Sequence, residues 1–162
     1  MFERERALYV FTLNYCRLLV EDIEDNDLAS QPIANLNHPA WILGHLAIAA
    51  DHGLSMVGSS RELAKDWYAR QGPGSKPVPE RSAYPPKEDL WETVAACHMR
   101  LDQAAASVTE QALAQPQRGF LPDQFPTVGI MLAHLMTTHP CIHLGQLSAW
   151  RRIMSLPSVL GV

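Results

Sequence analysis

Apolar side chains recur at Leu8, Phe11, Tyr15, Leu18, Leu19 and Ile23, with polar Thr12 and Asn14 between them. That is the helical period, and it predicts a first helix over about residues 2–22 with those positions as its apolar stripe. The acidic cluster Glu21, Asp22, Glu24, Asp25 and Asp27 follows. Acids at a helix C-terminus oppose the macrodipole, so the cluster is expected beyond the last turn. Asn37 or His38 can cap a second helix with Pro39 in its first turn, running to about Val57 and stopping at Gly58. Residues 58–86 carry Gly72, Gly74 and five prolines from Pro73 to Pro86, a long irregular connection with a short helix expected at Arg61–Arg70. Such a loop is expected to cover a site or an interface. A third helix is predicted over about Lys87–Leu113, with Leu90, Val94, Ala95, Met99, Leu101, Ala105 and Val108 inward. After a loop at 116–126, Thr127 caps a fourth helix to about Met154, and Pro157 forbids its continuation. Pro140 lies inside that stretch and predicts a bend within one helix. No alternating β-branched pattern, repeat or low-complexity tract appears. The expected fold is all-α: one domain over 1–162, a four-helix bundle with long loops between helices 2–3 and 3–4.

Composition narrows the function. The chain is 47% apolar and 19% charged with a net charge of −4, and no Lys/Arg stripe offers itself to nucleic acid. No apolar run approaches the roughly 18 residues of a membrane span. The charged start Met1-Phe2-Glu3-Arg4-Glu5-Arg6 lacks the apolar core of a signal peptide. Cys16, Cys97 and Cys141 are odd in number and widely spaced, which suits reduced thiols and a cytoplasmic protein. His-Glu-x-x-His, Glu-x-x-His, Gly-x-Ser-x-Gly, P-loop and dinucleotide fingerprints are absent.

The chemistry lies in the histidines. His139 and His143, four residues apart, sit about 40° apart around a helix and one turn apart along it, so their imidazoles can converge on one point. They share a face with Leu132, Leu135, Met136, Gln146, Leu147 and Trp150. Leaving two imidazoles buried and unpaired costs on the order of 1–3 kcal/mol each, and a metal ion satisfies both. The competing reading is a pair bonded to backbone or water near a bundle end. A third ligand must come from another element. His38, His45 and His52 recur every seven residues, each about 20° off the last, so spacing leaves all three open. Depth favours His45, since His38 starts the helix and His52 lies near its end. Gln146, three residues beyond His143, can bond a ligand imidazole or a bound water. His134 is about 140° from His139 and cannot join the pair unless the helix breaks. His98 has no partner at ligand spacing in its own helix and reads as an ordinary, non-ligating histidine. Asp51, about 120° from His45, reads as a salt-bridge partner, and Cys141, about 160° from both histidines, as packed against another helix.

Two stretches carry a family resemblance: His38-Pro39-Ala40-Trp41-Ile42-Leu43-Gly44-His45-Leu46 and His139-Pro140-Cys141-Ile142-His143-Leu144-Gly145-Gln146-Leu147. In this order and separation they resemble the DinB/YfiT-like superfamily of four-helix-bundle metalloproteins. The resemblance implies a divalent metal held by His45, His139 and His143, with Trp41, Gln146 and the loop around Trp67 and Tyr68 as pocket residues. Zinc suits three nitrogens, with nickel, iron or copper as alternatives. It further implies a homodimer and a metal-activated low-molecular-weight thiol as cosubstrate, in a transferase or isomerase. No carboxylate or Lys offers itself as general acid or base. The alternatives are a non-catalytic metal-binding stress or interaction protein and a bundle whose histidines only pack. One departure is Ser155, where relatives often carry a glycine that forms a left-handed helix end.

Overall fold

A central helix, α2 (Pro39–Met56), is buried at every position except His52, Ser55 and Met56. A helix that is apolar on all sides must be surrounded, and the other elements do this. The computed structural model describes residues 2–160. Its α-helices are α1 (Glu3–Val20), α2, α3 (Lys65–Gln71), α4 (Lys87–Ser107), α5 (Glu110–Leu113), α6 (Val128–Met136) and α7 (Thr138–Ile153). α2 packs against α3, α4, α6 and α7, while α1 packs against α4, α6 and α7. Among the described residues there is no strand beyond an isolated bridge between Pro116 and Thr127, so the fold is all-α. None of the described helices is long and apolar enough to cross a membrane.

The start of α2 is fixed by His38, whose Nδ1 accepts the Trp41 N–H at 3.3 Å while Nε2–H donates to Val78 O at 3.0 Å. Its end falls where Gly58 takes φ +85°, a conformation that favours glycine. The acidic cluster lies beyond the last turn of α1, as expected. Asp22 there pairs with buried Arg151, and Asp25 accepts from Arg81 at 2.6 Å, tying the long 58–86 loop to the rest.

Three sequence expectations need correction. The apolar stripe of α1 is rotated: Tyr9, Thr12, Cys16, Leu19 and Val20 are buried, whereas Leu8, Phe11 and Leu18 are 54%, 55% and 43% exposed. Small Thr12 and Cys16 allow close approach, the Thr12 hydroxyl donates to Tyr9 O at 2.8 Å, and Tyr9 stacks on His98 of α4 at 4.5 Å. The third predicted helix stops at Ser107, because Val108 is extended and Thr109 caps α5 by accepting the Ala112 N–H. Within it Met99 points outward, and Cys97 and His98 are buried instead. The fourth predicted helix breaks at Thr137 (φ −127°, ψ −77°) into α6 and α7. Pro140 has no N–H for the Met136 carbonyl and its ring crowds that carbonyl, so the chain separates one turn upstream. The Thr137 hydroxyl donates to Ala133 O at 2.6 Å and helps close α6.

α7 ends in two reversed bonds, Leu156 N–H to Arg151 O (2.9 Å) and Ser155 N–H to Arg152 O (3.1 Å), with Ser155 at φ +59°. This is the glycine-type helix end, made here with serine.

Candidate metal centre

α2 supplies His45 and α7 supplies His139 and His143. One ligand atom from each lies within 4.8 Å of the others, and no fourth His, Cys, Asp or Glu joins this group among the described residues. His38, left open by spacing, is consumed by capping α2. His52 faces the same cavity but bonds Arg61 at 2.7 Å. Asp51 makes no salt bridge among the described residues, contrary to expectation: fully buried, it accepts from the Tyr68 hydroxyl at 2.5 Å and from Glu62 N–H at 2.9 Å. Cys141 is exposed rather than buried between helices, another correction.

Two of the three imidazoles are oriented by a specific partner. His45 Nδ1 lies 2.7 Å from the Gln71 carbonyl, which can only accept, so Nδ1 carries the proton and Nε2 presents a lone pair. Gln71 ends α3, and this contact depends on Gly44: a Cβ there would overlap the buried Gln71 side chain. His143 Nδ1 donates to Gln146 Oε1 at 3.1 Å, and the same oxygen accepts from Asn37 Nδ2 at 3.1 Å. Gln146 thus orients a triad imidazole. Trp41 stacks on His45 with ring centroids 4.6 Å apart and 11° between planes, and its indole N–H donates to Ser75 Oγ at 3.0 Å.

The donors fit a divalent ion. His45 Nε2 and His139 Nε2 are 3.2 Å apart, close to the roughly 3.3 Å edge of a tetrahedron with metal–nitrogen bonds of about 2.0–2.1 Å. His139 Nδ1 is buried without a partner. Burial holds all three imidazoles below their ordinary range: His45 is lowered, His143 falls to about 4, and His139 falls to about 2 with its histidine neighbours adding to the effect. Neutral imidazoles are the form that ligates metals.

The triad opens into a cavity of about 890 Å³ bounded by Trp41, the 73–75 loop, the 119–121 loop and α6. Tyr68 lines it, whereas Trp67 packs against the core. Sequence reasoning missed His134. The break at Thr137 brings its ring within 5.6 Å of His139, and it stacks on Phe125 at 4.3 Å. Pro140 was the signal, since an interior proline voids the angular argument that kept the two apart. Asn37 and Gln71 were also missed, the first because it resembled a cap and the second because it acts through its backbone.

No curated protein matches the chain. The family model of the DinB superfamily matches residues 8–147, which include α2, the triad and Gln146. With that match across most of its length, this chain belongs to the DinB superfamily.

Proposed function

We propose that this protein binds a divalent metal through His45, His139 and His143 and uses it, with a low-molecular-weight thiol, in a transferase or isomerase reaction. The observation that carries this reading is a three-imidazole cluster with no fourth protein ligand among the described residues, facing a large cavity. A structural metal is normally closed by four protein ligands, while a catalytic one keeps a position open. Zinc or nickel is the expected ion, with iron as the further option. When bound, the metal would supply Lewis acidity that favours the thiolate form of a coordinated thiol.

The chain's own residues bind and orient. Gln71 O and Gln146 Oε1 hold protons on the Nδ1 atoms of His45 and His143, which fixes the tautomer that presents Nε2. Trp41 and the loop carrying Ser75 wall the site. No carboxylate lines the cavity among the described residues. A low-pKa thiolate nucleophile needs no carboxylate base, which is why a thiol suits this site. The same lack of an acid–base group is what favours the second reading, a metal-binding stress or interaction protein without turnover.

The wider reading treats α1, α2, α4 and the interrupted pair α6–α7 as the four rods of one bundle domain, cytoplasmic and homodimeric. The exposed Leu8, Phe11 and Leu18 strip on α1 supports pairing with a second copy. The test is elemental analysis of protein purified without a metal-leaching column, alongside His139→Ala. The expected result is near one metal per chain, lost in the variant, and turnover when thiols are screened with electrophiles. Absence of metal after incubation with zinc or nickel rejects the reading.

A further inference from the structure

Arg61 is the one formally charged side chain lining the cavity among the described residues, if the histidines are neutral. The residue is exposed, and its guanidinium is held by neighbouring groups. Nε–H donates to Ser55 Oγ at 3.2 Å, an Nη2–H donates to His52 Nδ1 at 2.7 Å, and the guanidinium carbon lies 5.4 Å from the Tyr68 ring centre. Two of the five guanidinium N–H groups are used in these bonds, and three remain without a partner among the described residues.

No acid pairs with it directly. Among the described residues Arg61 makes no ion pair: the neighbouring Glu62 carboxylate is taken by Arg100 at 2.5 Å. Asp51 lies behind Tyr68, holding its hydroxyl at 2.5 Å, with no exposure to the cavity. A guanidinium presenting free donors into a mostly apolar cavity is a recognition element for a planar anion.

We propose that Arg61, held by Ser55 and His52, is a carboxylate-binding subsite, and that the natural ligand is an organic acid spanning the cavity. His52, which carries Arg61, lies seven residues along α2 from His45, a rise of roughly 10 Å. The ligand's carboxylate therefore sits about that far from the atom it presents to the triad. The head-group half of this proposal rests on the metal reading; the carboxylate half stands on Arg61 alone. Tyr68 supports the guanidinium from below and is a positioning residue.

The probes are mercaptooctanoate and mercaptooctanol, matched in length and thiol and differing in charge, titrated calorimetrically into zinc-loaded protein. The acid is expected to bind at least about tenfold tighter, the effect of a charge-assisted hydrogen bond. Arg61→Gln is expected to abolish that preference without weakening the alcohol, and Arg61→Lys to retain part of it. Equal affinity of acid and alcohol for the wild type, or an unchanged preference in Arg61→Gln, overturns the subsite. A second arm titrates octanoate and octanol into metal-free protein. An acid preference there that vanishes in Arg61→Gln supports the subsite even if zinc fails to load, which separates its fate from that of the metal reading. No acid preference in either arm rejects it.

Discussion

Gly44→Ala isolates the device that aims His45. On propensity alone, alanine in a helix interior is worth about 1 kcal/mol over glycine. The structure opposes this gain. The new Cβ would fall inside van der Waals distance of Gln71 Cδ and Nε2 and 2.9 Å from Cγ, and the Gln71 side chain is only 1% exposed. Overpacking of this kind costs about 1–3 kcal/mol, so the net change in stability is between nearly zero and about 2 kcal/mol lost. The larger effect falls on the metal. Relieving the clash moves the end of α3, and with it the Gln71 carbonyl 2.7 Å from His45 Nδ1. Losing the group that orients a ligand imidazole typically weakens metal binding by about 10–100-fold. The orienting atom is backbone, so Gln71→Ala keeps it while removing the obstacle. It also deletes a buried amide nitrogen that has no partner. Zinc affinity, measured by competition with a chromophoric chelator, is therefore expected to fall in Gly44→Ala and recover in Gly44→Ala/Gln71→Ala. Wild-type affinity in the single variant, or no recovery in the double, would refute the reasoning.

Three further outcomes are expected. Burial holds His98 and His143 at about 4 and His139 at about 2, against 6.5 when unfolded, so the unfolded chain takes up protons first as the pH falls. Metal-free stability is then full above pH 6.5 and declines below it, each such imidazole contributing up to about 1.4 kcal/mol per pH unit until its folded pKa is reached. Urea unfolding between pH 7.5 and 5 checks this, and a flat profile contradicts it. Ser155→Gly should raise stability by roughly 1 kcal/mol in thermal unfolding, because Ser155 occupies a left-handed conformation at φ +59° that glycine adopts without a Cβ penalty. For the proposed homodimer, Phe11→Asp, at a 55% exposed position, should shift sedimentation toward the monomer with little loss of stability; an unchanged sedimentation coefficient removes α1 from the proposed interface.

The helices were legible because their punctuation is local. Pro39, Gly58 and Thr127 mark ends by chemistry that acts within a few residues, and α2 begins, ends and caps as expected. The α1 face was not legible, since choosing Thr12 and Cys16 over Phe11 depends on how closely α4 and α7 approach. The break at Thr137 was half legible: Pro140 announced a disturbance, but sequence does not say whether a helix bends or parts. Among site residues, the four-residue spacing brought out His139 and His143, and depth picked His45 from a stripe of three. Neither could reveal Gln71, whose contribution is a carbonyl, or Arg61, which reaches the cavity from an irregular loop.

Three imidazoles are proposed to hold one metal and leave a position open. X-ray absorption at the metal edge of zinc-loaded protein tests this most directly. The expected result is three imidazole nitrogens at about 2.0–2.1 Å and one light solvent atom that mercaptooctanoate replaces with sulfur. A fourth protein ligand, or fewer than three imidazoles, would contradict it.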